Sequence, residues 1–557
     1  MAWLIFIKKN SKKIPFFPSL SHFLGAKFGF FYFFFIFFSL LGQIHAEQAR
    51  SSSPEAIEKL KKQAYDEISS FERFNDNGVE RLKIKLKPFI EYYLPLHSQF
   101  QQADTYAQAN AYLQNIPDGK FTPNFILSGF NSQTPLTFQT DATAVNTDIQ
   151  GFSLGLNQLT KIGISYSISY QAQQIENHIF CCNIISTGKF NKPITAPTVY
   201  QNVLALGLNI PLFQDFGAAA NISSKKANLT YQQSLTQRQQ TINNLALNLT
   251  GLYWDLKALF QQISALRSRL FVTERIAFEV EERVKAGLLP RISALEQNAQ
   301  LEQDRSNLVQ AEGSLGNLED TIKRAIGLEN FPYGIYPDED FEPLKLDNSQ
   351  DIEKQVLEHS LELKNAKLDK EMARYNLVES DNKNRPNVDL NLNYNLYGYG
   401  YKKDQAAKLN NDKQINSYTA TLSWVIPLGD NGSSSASSAN LLFFTQKGIT
   451  VDDVESKLIL KNKNDLRNLK AADGLVQSQR LLFNARKELL EREKEKLRSG
   501  VSTTNNFADA QTRLFLAEQS LALAQSNLYK TFYGIEFDRG KIYEYFPRLK
   551  NFLNPAP

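Results

Sequence analysis

The chain has 557 residues, enough for several domains, and its formal net charge is +4. The first 46 residues hold five lysines and no acid, so the remainder carries 57 basic and 58 acidic side chains. This near-neutral balance gives no support to a nucleic-acid partner. The two cysteines, Cys181 and Cys182, are adjacent, which excludes a framework of disulfides. We expect the pair to lie in an exposed loop.

The N-terminus predicts an export signal. Its lysines are followed by the apolar run GFFYFFFIFFSLLG and then by QIHA before Glu47. A charged start, an apolar core and a small residue at the cleavage site are typical of a secretory signal peptide. We therefore predict a signal peptide over 1–46, cleaved after Ala46. The alternative, a membrane anchor, needs a longer apolar core of about 20 residues.

Several short segments alternate between apolar and polar residues. In PNVDLNLNYNLYGYGY (386–401), aliphatic residues alternate with a row of Asn. Similar alternation covers 418–428, 204–212 and 164–171, and weaker candidates lie at 125–130 and 152–156. A period of two with one apolar face predicts half-buried strands.

Other segments carry a helical period. From Ile242 to Leu270 the apolar residues are separated by steps of three and four without a break. This heptad pattern predicts a helix from about Ala218 to Val284, roughly 100 Å long, that requires a partner helix. Related stripes lie within 308–325, 352–377, 469–497 and 507–528.

The order of these elements repeats, which indicates duplication of a structural unit. After the signal peptide we predict a first repeat (47–330), a connector (331–349), a second repeat (350–546) and a C-terminal tail (547–557). The first repeat is expected to hold strands at about 124–212 and a helix pair at about 215–327; the second, strands at about 387–428 and a helix pair at about 440–534. The Lys- and Glu-rich segment 47–90 is expected to be helical. The segment 429–440 is either a flexible linker or a strand-to-helix junction, and the patterns on both sides favour the junction.

A strand with one aliphatic face and one Asn/Ser/Thr face fits either a soluble sandwich or an outer-membrane barrel, in which the aliphatic face contacts lipid. The export signal and strand lengths near the 9–11 residues that cross a bilayer favour the barrel. Single-chain bacterial barrels begin at about eight strands, whereas we count about four per chain, or six with the two weaker candidates. An open sheet edge would leave backbone amides and carbonyls unpaired in hydrocarbon. We therefore expect several copies to contribute strands to one closed barrel. The predicted fold is an α+β membrane protein: an oligomeric transmembrane β-barrel that continues into a periplasmic α-helical coiled-coil barrel.

The sequence resembles the TolC, or outer membrane factor, family. The resemblance rests on the duplicated order of elements and on three stretches: IPLFQDFGAAANISSKKAN (210–228), VKAGLLPRISALEQNAQ (284–300) and LRSGVSTTNNFADAQ (497–511). It implies a homotrimer in the outer membrane with about four barrel strands per chain and a periplasmic helical tunnel. It also implies an exit duct of a tripartite efflux pump or a type I secretion system, docked to a periplasmic adaptor protein and an inner-membrane transporter.

The resemblance also assigns candidate site residues. The adaptor would meet two helix-turn tips, formed by Lys285, Ala286, Gly287 and Leu288 and by Arg498, Ser499, Gly500 and Val501. A tunnel constriction would involve Asn506 and Asp509, six and nine residues after Gly500, and Glu296, nine residues after Gly287. Three copies of Asp509 would attract cations and repel anions. Either acid is also compatible with a solvated helix face.

No catalytic or metal-binding constellation accompanies these features. Outside the predicted signal the histidines are His97, His178 and His359, which are scattered, and the sequence contains no P-loop, GxGxxG or CxxC motif. We therefore expect neither an enzyme nor a cofactor. The competing class is an exported coiled-coil structural or adhesive envelope protein without a pore. The residues leave open the cargo and the choice between efflux and type I secretion.

Overall fold

The structure of the protein is a computed structural model. It describes residues 62, 70–76, 78–134, 137–140, 143–181, 194–325, 331–342, 344, 349–409, 416–426, 428 and 431–552. The predicted signal peptide and Cys182 lie outside these residues. The chain divides into two compact units, 1–71 and 72–557, and every strand and helix named here belongs to the second.

The first half of this unit contains a small hairpin, two helices, a group of strands and a long helical pair. In chain order these are β1 (Arg73–Asp76), β2 (Val79–Ile84), α1 (Leu86–Tyr93), α2 (Ser98–Leu113), β3 (Asn124–Gln133), β4 (Thr137–Thr140), β5 (Thr143–Leu159), β6 (Ser165–Cys181), β7 (Ile194–Thr195), β8 (Val199–Pro211), α3 (Ile222–Lys285) and α4 (Arg291–Ala325). Cys181 is thus the last residue of a strand, which corrects the prediction that it lies in a loop.

The second half follows the same plan with fewer strands. Its elements are β9 (Gly334–Pro337), α5 (Ser349–His359), α6 (Leu361–Lys383), β10 (Asn387–Gly400), α7 (Lys403–Ala406), β11 (Ser417–Val425), α8 (Asn431–Arg498), α9 (Thr504–Asp538) and α10 (Ile542–Tyr545). Helix α8 begins at Asn431, so residues 431–440 are already helical and do not form a flexible linker.

The large sheet has six long strands in the order β11-β10-β8-β6-β5-β3, with β4 paired to β5 and β7 paired to β6. All of its pairs are antiparallel. The predicted strands all exist, and the six long strands correspond to the higher of the two predicted counts, in which the weaker candidates at 125–130 and 152–156 are included. The longest strands form the β5–β6 hairpin and have 17 residues each. This hairpin occupies much of the first-half segment that is longer than its counterpart in the second half.

A second sheet joins the two halves. Strand β2 pairs antiparallel with β1 and parallel with β9, so that Leu82 lies opposite Ile335. Both side chains are fully buried. The helical prediction for 47–90 is therefore wrong over Arg73–Asp76 and Val79–Ile84, because β1 pairs with β2 and β2 pairs with the distant connector instead of forming helical hydrogen bonds.

The long helices carry the predicted heptad pattern. Helix α3 has 64 residues and α8 has 68, which correspond to about 95–100 Å each. Six of the heptad positions in α3 are buried: Ile242, Leu245, Leu249, Leu256, Ile263 and Leu266. Helix α3 packs on α4 and on α9, while α8 packs on α9 and α6.

An aromatic cluster connects the helices to the region of the small sheet. Trp254 of α3 lies against Tyr529 of α9 and Phe341 of the connector, with ring centroids 4.1 and 5.1 Å away. The hydroxyl of Tyr253 donates a hydrogen bond to the carbonyl oxygen of Ile84 at 3.0 Å. This cluster fixes the helices around the point where the two repeats meet.

Candidate pore wall, hairpin tips and constriction

The large sheet has one continuous apolar face. Because paired residues point to the same side, the register places Leu392 beside Leu208 and Leu206 beside Ile168, and it continues through Leu156. Aromatic side chains stand on the same face: Phe125, Phe152, Tyr170, Tyr394, Tyr418 and Trp424. A single chain leaves this face largely open, with Leu422 64% exposed and Trp424 67% exposed. An exposed apolar belt with interfacial aromatics is suited to lipid contact.

The opposite face of the sheet is polar and uses side-chain hydrogen bonds between strands. The Asn row predicted from the sequence lies here, with Asn391 opposite both Asn209 and Thr421. A ladder crosses three strands: Gln173 donates to Gln201 at 2.7 Å, and Gln201 donates to the hydroxyl of Tyr399 at 2.9 Å. These groups require water or each other, so this face is suited to line an aqueous lumen.

The two edge strands of the sheet are β3 and β11. In the single chain each has one side without a strand partner. An open edge is incompatible with hydrocarbon, because its backbone amides and carbonyls would be left unpaired. Within the described residues, β3 and β11 therefore each need a further strand partner to close the sheet.

The first tip is a Schellman turn at the end of α3. The Leu288 amide donates to the carbonyl of Arg283 at 2.9 Å, and the Gly287 amide donates to that of Val284 at 3.0 Å. Gly287 has φ +73°, a left-handed conformation that glycine adopts without the penalty of a side chain.

The second tip repeats this geometry at the end of α8. The Val501 amide donates to Lys496 at 2.9 Å, and the Gly500 amide donates to Leu497 at 3.2 Å. Gly500 has φ +74°. The residues that follow the two glycines, Leu288 and Val501, are 74% and 78% exposed. Two turns with the same hydrogen-bond pattern therefore present apolar side chains to solvent.

The remaining predicted tip residues surround these turns. Lys285 and Arg498 are the last residues of α3 and α8, and Ala286 and Ser499 follow them. Lys285 lies 3.0 Å from Glu282, and hydrogen bonding to this carboxylate raises the pKa of the lysine. Cationic side chains at helix C-termini also complement the helix dipole.

Two contacts hold the tips together. Phe507 of α9 is buried against Ile276 and Val280 of α3. The side-chain amide of Asn505 donates to Glu296 of α4 at 3.2 Å. Phe507 was recognised in the sequence only as a heptad position, and Asn505 was not singled out, because a contact between helices 200 residues apart has no local signature.

The predicted constriction residues occupy separate environments. Asp509 is 58% exposed and pairs with Arg513 at 2.8 Å, one helical turn further along α9. The backbone amide of Asn506 is capped by the Thr503 hydroxyl at 3.2 Å, so Asn506 belongs to the first turn of that helix. Within one chain Glu296 is hydrogen-bonded to Asn505, whereas Asp509 is bonded to Arg513 and Asn506 to Thr503. Arg513 was not singled out from the sequence. Its position four residues after Asp509 on a predicted helix is the pattern that indicates an ion pair between them.

A buried charge cluster lies between α3 and α4. Asp304 is 1% exposed, and its carboxylate accepts from the guanidinium of Arg269 at 2.7 Å and from the hydroxyl of Thr273 at 2.8 Å. Since both charges are desolvated and satisfied, this pair fixes the register of the first helical hairpin.

Two other kinds of site concern only the residues of the described part of the chain: metal ligands and membrane-spanning helices. It contains no group of three or more His, Cys, Asp or Glu that could hold a metal ion. Among the same residues no helix combines the length and apolarity needed to span a bilayer.

The comparisons with known proteins agree with this architecture. The family model described as outer membrane efflux protein matches residues 157–328 and 353–535. The fold is similar to that of the outer membrane protein VceC from Vibrio cholerae, with a TM-score of 0.56 and 11% identity over 82% of this chain and 96% of that one. A search of the curated proteins found no match to the sequence.

Two further solved structures share the fold. The CmeC outer membrane channel of Campylobacter jejuni has a TM-score of 0.57 and 12% identity over 85% of this chain and 90% of that one. The MtrE outer membrane channel of Neisseria gonorrhoeae, solved in its open state, has a TM-score of 0.57 and 13% identity over 82% and 89%. The chain therefore belongs to the outer membrane efflux protein family and is located in the outer membrane, with its helical part in the periplasm.

Proposed function

We propose that three copies of the chain form an exit duct that passively conducts cargo from the periplasmic side of the outer membrane to the exterior. The observation that carries this proposal is the large sheet, which has an apolar outer face, a polar inner face and two edges that each need a further strand partner. The strands lead into helices of about 95–100 Å, so the same oligomer extends as a helical tube.

The helices support oligomerisation independently of the sheet. Exposed apolar residues recur at intervals of seven on three of them: Phe271 and Phe278 on α3, Leu475, Leu482 and Leu489 on α8, and Leu516 and Leu523 on α9. A heptad stripe that one chain leaves open requires a partner helix. Copies of the same chain around a common axis supply such partners.

The tips suit docking to a periplasmic adaptor protein. Leu288 and Val501 are exposed at the ends of two hairpins of the same geometry, so one adaptor surface recognises both. Energy for export comes from an inner-membrane transporter of an efflux pump or a type I secretion system. In this arrangement Asp509 and Asn506, with Glu296 nearby, form the tunnel constriction beside the tips.

Reconstitution of the purified full-length protein into liposomes tests the channel. In an iso-osmotic solution of a small neutral sugar, a channel lets the sugar enter and the liposomes swell, whereas control liposomes do not. An exported coiled-coil protein without a pore leaves the swelling rate at the control value, and that result would reject the proposal.

A further inference from the structure

The β5–β6 hairpin lies inside the large sheet. It is inserted between β3 and β8, which are thereby kept apart. We infer that this hairpin is part of the barrel wall, so that each chain contributes six strands and three copies close an eighteen-stranded barrel. The inference rests on the proposed trimeric channel and deepens it, because the strand number sets the width of the exit.

The apolar belt runs across the hairpin without a gap. Leu154 lies opposite Leu127 of β3 on one side and Tyr170 of β6 on the other, and Tyr170 lies opposite Leu204 of β8. These residues stand at one level of the sheet and on one face. A hairpin outside the membrane would not need an aliphatic outer face aligned with that of its neighbours.

Polar contacts on the opposite face cross the hairpin as well. The hydroxyls of Ser128 and Ser153 lie 2.6 Å apart between β3 and β5. Gln173 of β6 begins the ladder that reaches Tyr399 of β10 through Gln201. The hairpin therefore shares both faces with strands that are expected to cross the membrane.

The turn of the hairpin lies at the helical end of the sheet. The Gly217 amide, just before α3, donates to the carbonyl of Ile162 at 2.9 Å. Gly163 has φ +93°, and a β-carbon there would lie 2.2 Å from the carbonyl oxygen of Asp215. Since the turn packs against the segment that leads into the helices, β5 and β6 must run the height of the sheet.

The outer face of the hairpin changes polarity beyond the belt. Gln150 lies opposite Gln174, and the next outward pair, Asp148 and Glu176, is acidic. Asp148 also lies 3.3 Å from His178. Charged outward side chains exclude hydrocarbon contact, so this change marks where the hairpin leaves the membrane on the outer side.

Closure with six strands per chain is geometrically consistent. An even number of antiparallel strands makes β3 and β11 run in opposite directions, so the seam between copies is also antiparallel. The two edge strands have similar lengths, 10 and 9 residues. Because barrel diameter grows roughly linearly with strand number, eighteen strands give an exit about half again as wide as twelve.

The lining of this exit carries little charge. Along the inward face of the six strands, within the residues whose side chains the structure describes, Asp389 is the only acidic or basic residue. The barrel therefore selects cargo by size and not by charge, and it admits bulkier solutes than a twelve-stranded exit.

Spin-label accessibility in the full-length protein tests the inference. In a Cys181→Ser, Cys182→Ser background, single cysteines at Phe152, Ser153 and Leu154 carry a nitroxide, and the protein is reconstituted in phosphatidylcholine vesicles. Oxygen reports lipid exposure, and a water-soluble nickel complex reports aqueous exposure. We expect oxygen to dominate severalfold at Phe152 and Leu154, and nickel at Ser153. Labels at Leu390, Asn391 and Leu392 of β10 are the matched control.

The outcomes separate the two proposals. Alternation in both strands supports the inference. Nickel access at all three β5 positions, with alternation retained in β10, would overturn the inference and leave the proposed channel intact. Loss of alternation in β10 would reject both. If the labelled variants fail to assemble, the barrel strands of the unlabelled full chain can be counted by electron cryomicroscopy. Eighteen strands would support the inference, and twelve would refute it.

Discussion

The side-chain amide of Asn505 donates a hydrogen bond to Glu296 across 3.2 Å and thereby joins the first turn of α9 to the second turn of α4. Its carbonyl oxygen also accepts from Gln297 at 3.3 Å. Both residues lie within ten positions of a tip glycine, so the two tips of one chain are connected by polar contacts close to their ends.

Replacement of Asn505 by alanine removes both of these hydrogen bonds. We expect the tips to move apart more freely while the buried Phe507 cluster keeps the helices packed. Electron spin resonance distances between nitroxides on Leu288→Cys and Val501→Cys, in a background without Cys181 and Cys182, should broaden in Asn505→Ala. An unchanged distribution would show that Phe507 alone couples the tips. Asn464→Ala, on α8, is the control.

The exposed apolar tip residues are expected to matter for docking and not for folding. Burial of a leucine side chain contributes about 1.5–3 kcal/mol, so Leu288→Asn and Val501→Asn should each weaken adaptor binding roughly tenfold or more. Exposed substitutions of this kind change stability by about 0.5 kcal/mol or less. Ile116→Ser, at another exposed apolar residue, should leave the affinity unchanged. Equal effects of all three variants in a binding titration would argue against docking at the tips.

The Asp509–Arg513 pair predicts opposite changes in ion selectivity. Asp509→Asn removes three carboxylates from the tunnel of a trimer and should lower the permeability ratio of cations to anions. Arg513→Gln removes the compensating charge and should raise it. Reversal potentials in planar bilayers with a salt gradient measure both. Asp453→Asn, far along α8 from the turn, should have little effect; matching shifts in all three variants would place the constriction elsewhere.

The buried pair of Asp304 and Arg269 predicts a large loss of stability. Asp304→Asn leaves the Arg269 guanidinium without its charged partner in a desolvated site, which costs about 3–5 kcal/mol. The matched variant Glu302→Gln disrupts an exposed pair with Arg305 and should cost about 1 kcal/mol or less. Thermal unfolding followed by circular dichroism compares the two; similar melting temperatures would contradict the structural role of Asp304.

The second tip is expected to loosen in acid. Glu493 accepts a hydrogen bond from the Ser502 hydroxyl, and this bond lowers the pKa of the carboxyl below its ordinary 4.5. Because the pKa of Glu493 is lowered in the folded state, its hydrogen bond stabilises the turn fully when the pH is above the ordinary pKa. This stabilisation is lost as the pH falls through the pKa of the folded state. Hydrogen exchange at the Val501 amide should therefore accelerate below about pH 4.5, after correction for intrinsic rates. In Ser502→Ala this pH dependence should be absent.

Sequence patterns were informative where one period persisted. The aliphatic row of β10 and the heptads of α3 follow periods of two and 3.5 without interruption, and both elements were predicted. The β5–β6 hairpin was predicted only in part, because its apolar residues change faces near Gln150 and break the alternation. The small sheet was missed because β2 pairs with β9, about 250 residues away, and short strands carry little periodic signal. The tips were located from the glycines, whereas the Asn505–Glu296 contact depends on packing between repeats.

The central claim is that copies of this chain complete one another's sheet within the membrane. Mass measurement by light scattering, on the full-length protein extracted from outer membranes in mild detergent, tests it most directly. We predict a mass of three chains and loss of the folded state when detergent is withdrawn. A folded monomer that stays soluble in detergent-free buffer would contradict the claim.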